Sequence, residues 1–362
     1  MPDPRKAVSA IPAYHPPLAG RQGLRLDFNE NTIGPSPRVL DRLRTLTAED
    51  LARYPERQPI EAAVSKFLGV SASELLLTNG VDEAIHLLCQ TYLECGDEAL
   101  IVVPTYSMYR IYMAAAGARV LSIPAETDFK FPFKALGENI RDRTRMIAIA
   151  NPNNPTGTFT GPGQLLEIAR SAPAAAVLID EAYFEFCGKS ILGERRQYPN
   201  LFVTRTFSKA YGLAGLRIGV LIGDADHMRS VRRVSSPYNV NAVALACLPA
   251  ALADHNYIER YVRETLESRA HLEGALRKHG FPFWPSEANF VLARVGPTQS
   301  DSEAFVEQMR RRGILVRDRS RDPACQGCVR FTLGPQQHTT RLLSALDEVL
   351  QELPASQGAS RS

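Results

Sequence analysis

Long apolar runs are missing from this 362-residue chain. None reaches the roughly 18 residues that a membrane span needs, so no membrane partner is expected. A surplus of one charge is missing as well. Lys plus Arg number 42 against 39 Asp plus Glu, a net of +3, too small to suggest a nucleic-acid binder. The opening residues, Met1-Pro2-Asp3-Pro4-Arg5-Lys6, lead into no apolar core of about 7–15 residues, so no signal peptide is expected. Cysteine is sparse, with six in the whole chain. Cys89, Cys95, Cys187 and Cys247 sit in apolar or helical surroundings and read as buried thiols. Cys325-Gln-Gly-Cys328 has no second pair and no His cluster beside it, so it reads as a pair in a loop and no metal is expected. Reduced thiols in the cytoplasm are the default. No G-x-G-x-x-G follows an early strand, which weighs against a nicotinamide dehydrogenase.

What remains is ordinary globular composition. Apolar residues make up 44% and charged residues 22%, which excludes disorder, collagen and coiled coil for the bulk of the chain. Residues 1–37 are rich in Pro and Gly and read as an extended arm. From residue 38 to about 240, short apolar runs alternate with helical spacing. The runs are Glu74–Thr78, Ala99–Val103, Val120–Ile123, Met146–Ala150, Val177–Ile179, Leu201–Thr204 and Ile218–Ile222. Runs this short, apolar on both faces and separated by helices, predict an α/β unit with a mostly parallel sheet. Residues 241–353 predict a smaller α+β unit. Its helices are Asn241–Leu252, Tyr257–His279, Phe305–Arg312 and Thr339–Leu353, and its strands are Asn289–Arg294, Ile314–Arg317 and Val329–Leu333. That unit is expected to recruit the arm. The polar tail, 354–362, is expected to be disordered.

Ligands of a parallel α/β sheet bind at the carboxyl ends of its strands, so the residues just past each strand carry the information. Asn151-Pro-Asn-Asn154-Pro155 follows one strand, Asp180-Glu-Ala-Tyr183 the next, and Thr206-Phe-Ser208-Lys209 a third. Arg217 opens the strand after that. Singly these are turn formers, a helix cap and a surface charge. Together they match the needs of one cofactor, pyridoxal 5′-phosphate. Its aldehyde needs an amine for a Schiff base, and Lys209 supplies one. Its ring nitrogen works as an electron sink when protonated, which Asp180 would favour. Asn154 and Tyr183 suit the ring hydroxyl. Thr206, Ser208 and Arg217 suit the phosphate. Unpaired amides at the helix start Gly80-Val81-Asp82 add to them. Tyr106 can stack on the ring.

This set resembles that of the fold-type I pyridoxal-phosphate-dependent aminotransferases, and within them the histidinol-phosphate aminotransferases. The resemblance covers about residues 14–350. It is carried by Leu26-Asp-Phe-Asn-Glu-Asn31, Arg53-Tyr54-Pro55, Asn79–Glu83, Asn151–Gly157, Asp180–Tyr183, Ser208-Lys209-Ala-Tyr-Gly-Leu-Ala-Gly-Leu-Arg217, Pro237–Asn241 and Cys328-Val-Arg330. It implies a homodimer with the site at the subunit interface, and Tyr54 reaching the partner's cofactor phosphate. It implies Arg330 as the carboxylate-binding arginine, with Tyr14, Asn31 and Arg317 helping to hold the substrate. The implied substrates are histidinol phosphate and the glutamate/2-oxoglutarate pair, with Lys209, Asp180 and Tyr183 as the catalytic group. Val81 stands where a smaller residue is common in the family. A planar guanidinium holds carboxylate and phosphate alike with two parallel hydrogen bonds, so one arginine can serve both half-reactions.

Aromatic or broad-range aminotransferases and threonine-phosphate decarboxylase share nearly every cofactor residue, and only the pocket separates them. A non-catalytic ligand-sensing module would need an attached DNA-binding segment. The arm holds no helix-turn-helix pattern, and Lys209 is present.

Overall fold

The structure, a computed structural model, describes residues 2–352 except Tyr14, Pro16, Leu18 and Ala19. The expectations for Tyr14 and for the polar tail therefore lie outside the described residues.

Seven strands form the central sheet: β1 (Leu75–Thr78), β2 (Glu98–Val103), β3 (Arg119–Pro124), β4 (Thr144–Ala150), β5 (Ala176–Asp180), β6 (Leu201–Thr206) and β7 (Gly219–Ile222). Their order is β1-β7-β6-β5-β4-β2-β3. All neighbours are parallel except β7, which runs antiparallel between β1 and β6. Side chains alternate across each strand. Leu75, Leu77, Ile147, Ile149, Val177, Ile179 and Val203 pack into one core, and Leu76, Met146, Ala148, Leu178 and Phe202 into the other. Both faces are covered, which is why the strands read as unbroken apolar runs. On the second face lie α1 (Gly80–Tyr92) and α2 (Ser107–Ala116), through Ile85, Leu88, Tyr109 and Met113. On the first lie α3 (Pro162–Ser171) and α4 (Ala242–Leu252).

A second sheet is antiparallel. It contains β8 (Phe283–Trp284), β9 (Phe290–Arg294), β10 (Arg317–Asp318) and β11 (Cys328–Thr332), in the order β10-β11-β9-β8. It packs under α5 (His255–Lys278), α6 (Gln299–Arg311) and α7 (Gln336–Glu352), through Leu272, Phe305, Met309, Leu342 and Val349. The arm joins this core. Leu24–Arg25 pairs in parallel with Ile314–Leu315, and the carbonyl of Leu26 accepts the amide of Thr332 at 2.9 Å.

Four sequence expectations are corrected. The helix Asn241–Leu252, expected in the smaller unit, packs into the core of the central sheet instead. The run Ile314–Arg317 is not one strand, because its first half pairs with the arm and Arg317 pairs with β11. Helix α6 begins before Phe305, because Thr298 and Asp301 close a reciprocal cap that starts it at Gln299. Cys95 is exposed and Cys187 half-buried, whereas Cys89 and Cys247 are buried as expected. Among the described residues, no helix is long and apolar enough to cross a membrane.

Candidate active site

One edge of the central sheet collects the polar residues. It holds the carboxyl ends of β1, β4, β5 and β6. Because β7 is antiparallel, its first residue lies there too: Gly219 is in register with both Thr78 and Thr206. A reversed strand thereby delivers Arg217 to the edge where the parallel strands end.

Asp180 closes β5 and is buried. Its Oδ2 accepts the phenol of Tyr109 at 2.6 Å. Its Oδ1 accepts the hydroxyl of Thr204 at 3.0 Å and the amide of Ala182 at 3.2 Å. Burial pushes the carboxyl up to about 6 and Asp82 adds to the rise, while the three hydrogen bonds hold it down. Sequence reasoning missed Tyr109. The signal was available in the spacing Tyr106-x-x-Tyr109: Tyr106 stands at the cap of α2, and its ring meets that of Tyr109 edge to face, with centres 5.7 Å apart.

Lys209 follows β6, and its amine donates to the carbonyl of Phe28 at 3.2 Å. Burial pulls the ammonium down to about 8. Arg330 and Arg217 lower it further, while Glu30 and Asp82 oppose them. Thr206 accepts the amide of Ser208 at 3.1 Å, which turns the chain toward the lysine. A cavity of about 530 Å³ opens beside Ser208, Glu30 and Asn31; neither Lys209 nor Asp180 lines it.

The start of α1 is shaped by two glycines. Gly80 has φ +74°, and a Cβ there would stand 2.5 Å from Nη2 of Arg217. A Cβ at Gly219 would stand 3.0 Å from the amide nitrogen of Val81. Arg217, itself at φ +52°, reaches Asp82 at 3.1 Å, and the phenol of Tyr106 donates to the other oxygen of Asp82 at 2.8 Å. Gly80, Val81 and Asp82 thus set the first turn of a helix, with unpaired amides and a guanidinium packed against it.

A second cluster lies where β11 and the arm meet this edge. Arg330 is buried. It donates to Oδ1 of Asn154 and to the carbonyl of Asp27, both at 2.6 Å, and its Nε has no hydrogen-bond partner. Burial, then the neighbouring Arg319, pulls its guanidinium down to about 9. Arg317 stands directly across the ladder from Arg330, with its guanidinium 5.2 Å from the ring centre of Phe28. Tyr183 is buried, and its oxygen accepts the side-chain amide of Asn29 at 2.9 Å. Asn29 also binds Thr332, which makes it a site contact that sequence reasoning left unassigned. The amide of Asn31 engages main chain instead, donating to Ala210 at 2.9 Å and accepting from Ile33 and Gly34. Tyr54 is 76% exposed and stacks on Tyr238, with ring centres 4.1 Å apart.

The residues fit pyridoxal phosphate by their own chemistry. A half-buried amine of lowered basicity, a buried carboxylate, two phenols and an anion cradle that a Cβ would fill share one sheet edge.

This fold is shared with known enzymes. The chain belongs to the class I and II aminotransferase family, which matches residues 21–346. It is 36% identical over 333 residues to the histidinol-phosphate aminotransferase of Paracoccus denitrificans, covering 91% of this chain and 90% of that protein. It is 35% identical to histidinol-phosphate aminotransferase 1 of Thiobacillus denitrificans, covering 99% and 93%. Among solved structures, the histidinol-phosphate aminotransferase of Sinorhizobium meliloti in complex with pyridoxal-5′-phosphate superposes with a TM-score of 0.87. That match has 25% identity and covers 96% and 97% of the two chains.

Proposed function

We propose that this aminotransferase moves the amino group of L-histidinol phosphate to 2-oxoglutarate, giving imidazole-acetol phosphate and glutamate, with pyridoxal 5′-phosphate as cofactor. The observation that carries the reading is the pair Arg317 and Arg330, in register on adjacent strands, with Arg330 close enough to Lys209 to lower its basicity. Arg330 is buried there without a carboxylate partner among the described residues. A buried guanidinium bound only to neutral groups is costly unless an anion arrives. The two amino donors offer a carboxylate and a phosphate, the two anions that a guanidinium fork fits.

The bound cofactor supplies an aldehyde for the amine and a cationic ring that draws electron density from the substrate α-carbon. Lys209 holds the cofactor and, once freed, its Nζ removes the α-carbon proton. A basicity near 8 leaves a useful fraction unprotonated at neutral pH. Asp180 holds a proton on the ring nitrogen through its buried carboxylate. Asn154 and Tyr183 orient the ring hydroxyl, and Tyr106 covers a ring face. The amides of Gly80, Val81 and Asp82, with Thr206, Ser208 and Arg217, seat the phosphate. Arg330 takes the substrate carboxylate, and Arg317, with Tyr14, takes the substrate phosphate. The enzyme acts as a cytoplasmic homodimer in which Tyr54 of a second copy completes the phosphate seat. The exposure of Tyr54 on its own surface supports this.

The test is a single-turnover spectrum of the loaded enzyme with histidinol phosphate, glutamate, phenylalanine and threonine phosphate added separately. Fast conversion by the first two, with phenylalanine slow, is expected. Fast conversion by phenylalanine with none by histidinol phosphate would move the enzyme to aromatic substrates and remove the role of Arg317.

A further inference from the structure

The arm crosses the site as a strap, and residues 27–29 each touch a different site residue. The carbonyl of Asp27 accepts from Arg330, the carbonyl of Phe28 from Lys209, and the side chain of Asn29 donates to Tyr183. Asp27 therefore lies against the one buried guanidinium that the reading above assigns to substrate, yet it offers Arg330 its main chain only. Its carboxylate belongs to Arg21. Nε and Nη2 of Arg21 reach the two oxygens of Asp27 at 3.0 and 2.8 Å, a paired fork, and Nη2 also reaches Glu30 at 2.7 Å. The side chains of Arg21 and Asp27 are only 10% and 8% exposed. The guanidinium of Arg21 lies 4.4 Å from the ring centre of Phe28, the ring that Arg317 also covers.

One arginine outside the proposed chemistry thus occupies two carboxylates of the strap. A nearly buried carboxylate that loses its partner seeks the nearest cation, because an unpaired charge there is far costlier than a paired one. Arg330 already touches the main chain of Asp27, and its own hydrogen bonds are all to neutral groups.

We propose that Arg21 is a positioning residue that keeps the carboxylate of Asp27 away from Arg330, so that Arg330 stays open to the carboxylate of the incoming amino or oxo acid. The proposal rests on the assignment of Arg330 to substrate. It makes Arg21 a determinant of affinity for carboxylate substrates without contact with them. Without Arg21, substrate must first displace an internal carboxylate from Arg330.

The experiment uses the loaded enzyme. Arg21→Gln is expected to raise the KM for glutamate and 2-oxoglutarate by about tenfold, with kcat within about twofold. Calorimetric binding of glutarate, which has no amine to transfer, is expected to weaken by the same factor. The decisive variant is Arg21→Gln with Asp27→Asn. Removing the competing charge is expected to bring KM and glutarate binding back to within about threefold of wild type. If Arg21 only scaffolds the strap, Asp27→Asn cannot repair the loss, and kcat falls too because Phe28 and Asn29 touch Lys209 and Tyr183. Either an unrepaired double variant or an unchanged KM in Arg21→Gln would overturn the proposal. Should Arg21→Gln not fold, Arg21→Lys keeps one charge and loses the fork. It is read the same way, with a rise of about threefold that Asp27→Asn must repair. An unchanged glutamate KM in Arg330→Ala would refute the assignment of Arg330 itself, and is told apart because Arg21 is intact in that variant.

Discussion

Replacing Tyr109 by Phe removes one oxygen and nothing else from the most buried part of the site. The phenol is fully buried and gives Oδ2 of Asp180 its only hydrogen bond among the described residues, at 2.6 Å; Thr204 and Ala182 serve the other oxygen. A hydrogen bond to a charged acceptor stabilises it by about 1.5–3 kcal/mol, and one pKa unit is about 1.4 kcal/mol. The ring of Phe keeps water out, so the lost bond is not replaced by solvent. The Asp180 carboxyl, already at about 6 through burial, should therefore rise to about 7–8 in the variant. The other groups in its surroundings, Asp82, Tyr106 and Tyr183, are unchanged. The assay is a titration of the Asp180 side-chain carbon by NMR in the cofactor-free protein, where no ring nitrogen competes. In the loaded enzyme the acid limb of the pH–rate profile should move up in the same direction, with kcat at neutral pH down by about tenfold. The linkage has a definite sign. A carboxyl raised in the folded state favours folding when protonated, so its contribution is lost as pH rises through the folded value. That loss should end near pH 6 in wild type and about one to two units higher in the variant. An unmoved NMR midpoint together with an unmoved acid limb would refute the reasoning, and would mean that Thr204 and Ala182 set the charge of Asp180 alone.

Other perturbations follow from the same geometry. Lys209→Ala should abolish turnover, and borohydride reduction of the loaded wild type should fix the cofactor on the peptide that holds Lys209; label on any other peptide would displace it as the anchor. Gly80→Ala puts a Cβ 2.5 Å from the mobile tip of Arg217 at φ +74°. It should cost only about 1–2 kcal/mol of stability while weakening cofactor affinity by about tenfold or more, as read by equilibrium dialysis. Glu185 has one buried carboxylate oxygen without a partner, and burial raises its carboxyl to about 7. Glu185→Gln should therefore gain stability over wild type as pH rises from about 4.5 to about 7, levelling above that at about 1–3 kcal/mol in urea unfolding; a gain confined to acid pH would reverse the sign and refute it.

Much of the fold was legible because burial leaves a pattern in the chain. The runs Val177–Ile179 and Leu201–Thr204 are apolar on both faces because each strand has a core above and below it. The polar residues that end those runs, Asp180 after one and Thr206 after the other, lie at the carboxyl edge of the sheet, with Tyr183 and Lys209 close behind them in the chain. Other features depend on partners distant in the chain. The break at Val316 exists because the arm pairs with one half of the segment and β11 with the other. Residues of ordinary appearance, Tyr109, Asn29 and Arg21, acquire meaning only through what they touch.

By itself the sequence determined the alternation of strands and helices, the sheet edge where the candidate site residues collect, and the likeness to a family of enzymes. These depend on local periodicity and on residue types at short spacing, which a chain carries whatever its partners. The tertiary structure alone decided that β7 runs backwards and so brings Arg217 to the cradle at Gly80. It also decided that Tyr109 donates to Asp180, and that Arg21 rather than Arg330 holds the carboxylate of Asp27. Each of those is a contact between groups remote in sequence. The charge of a buried carboxylate or guanidinium follows from the partners that packing places beside it, and packing is a property of the whole chain.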